Sequence, residues 1–297
     1  MAHSTKTART DLALEARETV KLTHSGEVPG VSVAERERDG FPVTEVRILD
    51  KRGERKLEKP VGTYITVSLD RYIARAEGAL EKGAAVIAEE LRGLLALRDG
   101  ESVLIAGLGN DAITPDAIGP RTARKILATR HLIRSIPEHF GELRCVSVLE
   151  TGVLAQTGIE SADILCAVCK KLSPDRVIAV DALCSSSPGR LCRTVQLTDS
   201  GIIPGSGVGN SRTALCRDTL GVPVVALGVP TVTDALTLCR ALSPETDFSG
   251  DSPESAMIVT PREIDAGVED CAKLAALSIN LALQDTLSCA DITMLLS

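Results

Sequence analysis

The stretch Ser102–Pro120, SVLIAGLGNDAITPDAIGP, decides the fold. After Ser102, Val103–Ala106 form an unbroken apolar run, the pattern of a strand buried on both faces. A glycine turn follows, and Thr114-Pro115-Asp116 then leads into a helix in the manner of an N-cap. The same grammar recurs downstream: a helical pattern over Arg121–Ile133, the run RCVSVLE, a helix over Ser161–Leu172, and the run RVIAVDA. Parallel strands require a crossover between them, usually helical. The expected fold is therefore α/β, a mostly parallel central sheet with helices on both faces.

Outward from this core, Thr194–Leu197 and VPVVALG read as further strands, and Ser211–Thr219 and Thr231–Leu242 as helices, with a helical pair after Pro261. Upstream, Val43–Leu49 and Gly62–Leu69 alternate as half-buried strands do, an N-terminal strand-rich addition over residues 40–70. The stretch KRGERKLEKP between them reads as a charged turn, and Ile73–Leu97 has helical spacing. Ser243–Ser255 is polar and turn-rich, the composition of a mobile surface loop. The organisation expected is a leader over residues 1–10 and a single domain over 11–297.

Composition narrows the function. With 44% hydrophobic and 25% charged residues the chain can bury a large core. A net charge of −7 supplies no basic footprint for nucleic acid, and 2% aromatics leave little for a base-stacking platform. The N-terminus lacks an apolar signal run, and Leu220–Cys239 is interrupted by Gly221, Pro223, Gly228, Pro230 and Asp234, so neither secretion nor a membrane anchor is expected. Nine irregularly spaced cysteines in such a chain read as reduced thiols.

In open α/β sheets ligands bind beyond the carboxyl ends of strands. Asp116 lies in the loop Gly107–Pro120, and Asp181 closes the apolar run RVIAV. Asp116 is either a first-turn acid favoured by the helix dipole or a functional group. Asp181 is costly to bury unless paired or functional. The loop Thr198–Asn210 carries Gly201, Gly205, Gly207 and Gly209, either plain turns or a cradle of backbone N–H groups, and GVPTVTDA ends a fourth loop at Asp234 and Ala235. Gly107–Ala112 matches the permissive dinucleotide fingerprint, but Leu127–Arg134 holds no acid for a ribose. Cys166 and Cys169 sit in a helical pattern without a second pair, and none of His3, His24, His131 and His139 lies in these loops. A histidine triad or a metal site is therefore not expected.

Seven stretches in one order, TDLALEARE, GLGNDAITPDAIGP, QTGIESADI, VIAVDAL, QLTDSGIIPGSGVGN, GVPTVTDA and VTPREID, carry a resemblance to the germination protease family of endospore-forming bacteria. They run from Thr10 to about Leu287. The resemblance implies a fold related to the hydrogenase-maturation endopeptidases and an aspartate-dependent endopeptidase that degrades small acid-soluble spore proteins. The family's essential acids map onto Asp116 and Asp181. Its pattern lacks the histidine that binds metal in the hydrogenase relatives, so no metal and no cofactor are implied. Also implied are a homotetramer, a location in the cytoplasm of the forespore and spore core, no direct nucleic-acid or membrane partner, and a zymogen that removes its own propeptide. The nine residues before Thr10 are short for that propeptide. Thr10–Glu15 resembles the acidic and apolar sites the family cuts, which puts self-cleavage near Asp11, Leu12 and Ala13.

The mechanism expected is a water activated between Asp116 and Asp181, with pKa values driven apart by proximity. Oxyanion donors would come from the loop at Gly205 and Gly207 or from backbone N–H groups at Gly109 and Asn110. An edge strand of the sheet would hold an extended peptide. The alternatives are a nucleotide-dependent oxidoreductase or transferase using the Gly107 loop, and a noncatalytic binding protein.

Overall fold

The computed structural model describes residues 10–23, 28–206, 212–243 and 257–296. Among these residues nine strands form one sheet: β1 (Val31–Arg38), β2 (Phe41–Ile48), β3 (Gly62–Ser68), β4 (Val103–Leu108), β5 (Val146–Gly152), β6 (Arg176–Cys184), β7 (Thr194–Thr198), β8 (Val224–Asp234) and β9 (Ile258–Val259). Their order is β1-β2-β3-β7-β8-β6-β4-β5, with β9 added on β8. The pairs β4–β5, β4–β6 and β6–β8 are parallel, and the remaining pairs antiparallel. The α/β class and the helices on both faces stand. The sheet, however, is mixed rather than mostly parallel, because β3 pairs with β7 and so brings the N-terminal strands into the same sheet.

Strand periodicity sends alternate residues of β4 to opposite faces. Val103 and Ile105 join Ile87, Leu91 and Leu274, from the helices Ala79–Leu95 and Ile264–Leu283. Leu104, Ala106 and Leu108 face the helix Ser161–Leu172 through Leu165. A third core packs Ala13, Val46, Ile48, Leu57 and Tyr64 under the N-terminal helix Ala13–Thr23.

Several elements differ from the sequence expectation. KRGERKLEKP is not a turn: Lys51–Leu57 is a helix whose N-cap Asp50 accepts hydrogen bonds from the N–H groups of Arg52 (2.8 Å) and Gly53 (3.2 Å). The polar head contains the helix Ala13–Thr23, held by tertiary contacts rather than by a strong apolar face, and β1 was not foreseen. The helix expected from Ile73 is split into Asp70–Ile73 and Ala79–Leu95, and the Arg121–Ile133 crossover into Ile118–Ala123 and Arg130–Ser135. Thr231–Asp234 continues β8, as its β-branched residues favour, and the helix begins at Ala235 with Asp234 as its cap. Near the expected Ser211–Thr219 helix, Arg217–Leu220 is helical. The leader before Thr10 and nearly all of the Ser243–Ser255 loop lie outside the described residues.

Among the described residues no helix is long and apolar enough to cross a membrane. None of the nine cysteines forms a disulfide, and Cys169 packs in the core beside Cys166.

Candidate active site

β4 has β5 on one side and β6 on the other, so successive connections leave it in opposite directions. The crevice between the carboxyl ends of β4 and β6 is thus the topological switch point where α/β sheets place their ligands.

Asp116 reaches this crevice from the loop after β4. Gly109 makes the turn with φ +104°, and a Cβ there would stand 2.1 Å from the Asp116 carbonyl oxygen, so only glycine fits. The next residue, Asn110, donates its backbone N–H to the Asp116 carboxylate at 2.8 Å. The turn Thr114–Asp116 is tied on two more sides: Thr231 Oγ1 donates to the Pro115 carbonyl (2.7 Å) and Thr114 Oγ1 to Asp265 (2.7 Å). Gly119, whose Cβ would meet the Leu108 carbonyl at 2.1 Å, lets the following helix close against β4.

Asp181 lies inside β6, which runs on to Cys184 rather than ending at the acid as its apolar run suggested. The β4 pairing stops at Gly107–Val180, while β8 still pairs with β6 at Asp181–Gly228. Asp181 is therefore the first residue of β6 released from β4. It is 5% exposed, and its carboxylate accepts the Ala182 N–H at 2.9 Å.

Both acids line one cavity of about 490 Å³, with Gly109, Gly152, Gly205, Thr231 and Thr260. Ile113, Ile203 and Ile258 line it too and are exposed, giving it an apolar mouth. Its charged lining residues are Asp11, Asp116, Asp181 and Arg212. Burial raises Asp116 above the usual carboxylate range, opposed by the Asn110 N–H and the Arg212 charge. Burial pushes Asp181 well above that range, and the Asp116 charge adds to the push, with a smaller contribution from Asp11. The larger upward push falls on Asp181, the more deeply buried of the two, an asymmetry suited to one base and one acid in the same site.

Asp11, in the segment Thr10–Ala13, forms part of the cavity wall. Asp11 donates its N–H to the Cys184 carbonyl (2.9 Å), and its carboxylate accepts from the Cys184 N–H (2.8 Å) and Ser206 Oγ (2.6 Å). Leu12 and Ala13 are 0% exposed. Of the expected donors, Asn110 has its N–H directed at Asp116, Gly205 borders the cavity, and Gly207 lies outside the described residues. The Asn110 contact also bears on the dinucleotide fingerprint: a carboxylate sits where that loop would present its amide to a phosphate. Among the described residues no group of three or more His, Cys, Asp or Glu side chains is arranged to hold a metal ion.

The model of the germination protease family matches residues 8–243, a span that includes both acids and all of the cavity lining except Ile258 and Thr260. The chain belongs to the germination protease family. Curated germination proteases align along nearly its full length: that of Caldanaerobacter subterraneus subsp. tengcongensis is 42% identical over 97% of this chain and 98% of its own. The protein from Clostridium tetani is 38% identical over 96% and 98%. Among solved structures, the NiFe hydrogenase maturation protease HycI from Thermococcus kodakarensis KOD1 matches 64% of this chain and 98% of its own at 17% identity, with a TM-score of 0.37, a likeness that carries no argument.

As a member of the germination protease family the chain is a hydrolase, a spore protease. The sequence pattern assigns no role to Arg212, which belongs to no recognisable motif, nor to Thr231, although Thr231 lies within GVPTVTDA. Arg212 reaches the cavity from beyond the glycine-rich loop and pairs with Glu160 at 3.4 Å. Only the packing of β8 against the Asp116 turn gives Thr231 its place.

Proposed function

We propose that this protease cuts small acid-soluble spore proteins during germination, using a water activated between Asp116 and Asp181, and that it processes its own N-terminus. The observation that carries the aspartate mechanism is the pair of acids in one crevice with unlike surroundings, Asp116 beside a cation and Asp181 buried.

In this reading the Asp116 carboxylate takes a proton from the water, whose oxygen attacks the peptide carbonyl carbon. Asp181 gives its proton to the carbonyl oxygen. As the tetrahedral intermediate collapses, the proton on Asp116 passes to the departing amide nitrogen, and Asp181 recovers a proton from the new carboxyl group, so both acids return to their starting states. Arg212 and the turn at Gly205 border the same cavity and supply further stabilisation of the developing oxyanion. The exposed apolar mouth and β5, an edge strand whose last residue Gly152 reaches the cavity, suit an extended peptide. Self-cleavage falls within Asp11–Ala13, where Asp11 lines the cavity that holds the two acids.

The test is incubation of the purified protein with a small acid-soluble spore protein, with mass spectrometry of the substrate and of the enzyme's N-terminus. Asp116→Asn and Asp181→Asn are run in parallel. Site-specific cutting that falls by about a thousandfold or more in each variant is the expected result. Undiminished cutting by either variant removes that aspartate from the mechanism.

A further inference from the structure

Burial raises Asp116, and the two groups that oppose it, the Asn110 N–H and the Arg212 charge, are held from one place. Gln156, in the short helix Leu154–Thr157 after β5, donates its Nε2 to Asn110 Oδ1 at 2.6 Å, and the same oxygen accepts the Ala112 N–H at 3.0 Å. Two donors on one amide oxygen fix the Asn110 side chain in a local turn and leave its backbone N–H aimed at Asp116. At the other end of the same stretch, Glu160 accepts a hydrogen bond from Arg212 Nη1 at 3.4 Å. A tight turn joins the two: Gly158, at φ +71°, donates its N–H to the Leu154 carbonyl (2.8 Å), and Thr157 Oγ1 accepts the Ile159 N–H (3.1 Å). Ser161 Oγ donates to the Gly152 carbonyl at 3.2 Å, which fastens the turn to the end of β5. Gln156 and Glu160 do not themselves line the cavity. These residues open QTGIESADI, a stretch that carries part of the family resemblance and contributes neither acid.

We propose that Gln156 and Glu160 are positioning residues for the reaction, and that the turn between them is a single mount that aims the Asn110 amide and the Arg212 guanidinium at the Asp116 carboxylate. The proposal rests on the reading of Asp116 as the general base and specifies what keeps that base in its working form. The other charged groups around Asp116 are Asp181 and Asp11, which share its cavity, and Asp265, which meets Thr114 of the same turn. Asp111, beside Asn110, is neutralised separately by Arg124 (2.7 Å), which also binds Glu150 of β5 (2.9 Å). Glu160 is itself an anion, so its two conceivable roles have opposite signs. As a mount, its loss frees the Arg212 side chain to turn towards water and makes Asp116 harder to ionise. As a bare counter-charge, its loss would leave Arg212 acting more strongly on Asp116 and make it easier to ionise.

Gln156→Ala, Glu160→Ala, Glu160→Gln and the double alanine variant are compared with the wild type across pH, with a small acid-soluble spore protein as substrate and thermal melts as the check on folding. Protonation of Asp116 is read without activity, by labelling the full-length protein with a water-soluble carbodiimide and glycine ethyl ester and locating the label by peptide mass spectrometry. Each alanine variant is expected to move the acidic limb of kcat/KM, and the labelling midpoint of Asp116, up by about half a pH unit, and the double variant by about one. KM should stay within about twofold, since neither side chain lines the cavity. Glu160→Gln keeps an acceptor for Arg212 and should stay closer to the wild type than Glu160→Ala does. A limb and a midpoint that both stay put in the folded alanine variants overturn the proposal, as does a downward shift in Glu160→Ala or a change confined to KM. A midpoint that rises as expected while the limb is unmoved, or while no cutting occurs at all, leaves the mount standing and removes Asp116 as the general base.

Discussion

The backbone N–H of Asn110 points at the carboxylate of Asp116, six residues later, at 2.8 Å. This contact turns a glycine loop of the kind that cradles phosphates into a mount for a carboxylate. With the Arg212 charge, it is what opposes the effect of burial on Asp116.

The rate should therefore follow a bell in pH. In the proposed mechanism the reaction needs Asp116 ionised and Asp181 protonated. The raised position of Asp116 puts the acidic limb above about pH 4, the ordinary carboxylate range. The alkaline limb follows the loss of the Asp181 proton, which burial and the Asp116 charge delay. Arg212→Gln removes a cation that favours the ionised form of Asp116, so the acidic limb should move to higher pH. A kcat/KM profile of both proteins checks this, and an unmoved limb would separate Arg212 from Asp116.

Asp181 also imposes a pH dependence on stability. Its folded-state pKa lies above its unfolded value, so the native state binds more protons and stability falls as pH rises from about 4 towards the raised value. Asp181→Asn keeps an acceptor for the Ala182 N–H and removes the ionisable group. The variant should melt a few degrees higher than the wild type at pH 7, roughly 1 kcal/mol or more for a chain of this size, with the difference vanishing below about pH 4. Thermal melts across pH decide it.

Gly109→Ala places a methyl group 2.1 Å from the Asp116 carbonyl at a φ of +104°. The loop must shift, at a cost of about 1–3 kcal/mol, and carries Asp116 with it, so activity should fall at least about tenfold. Gly100 also has positive φ, but its Cβ would meet nothing within 4 Å. Gly100→Ala should cost only about 1–2 kcal/mol and leave kcat/KM unchanged. Paired denaturation and activity measurements separate backbone strain from displacement of the acid.

Thr231→Val preserves shape while deleting the donor to the Pro115 carbonyl. The expected loss is about 1–2 kcal/mol of stability and a drop in kcat of about tenfold, with KM little changed, because the contact orients the Asp116 turn. A fall in KM-related binding alone would show that Thr231 serves the substrate rather than the acid.

The parallel core and its two acids were legible along the chain because each signal is local. Unbroken apolar runs such as Val103–Leu108 identify strands buried on both faces, and a carboxyl at Asp181 within such a run stands out by its desolvation cost. The helix Lys51–Leu57 was not legible, since its charged residues present no apolar period and the Asp50 cap alone sets its start. Other features depend on residues far apart in sequence. The antiparallel half joins the sheet only through the β3–β7 pairing, residues roughly 130 apart, and Glu15 meets Ser185 and Arg190 across 170 and 175 residues. The sequence by itself determined which residues form the buried strands and which carboxyls had to be exceptional. The tertiary structure alone decided that both acids face one cavity beside Arg212, and that Asp11 of the N-terminal segment lines it, because proximity between distant segments is set by strand order and packing rather than by local pattern.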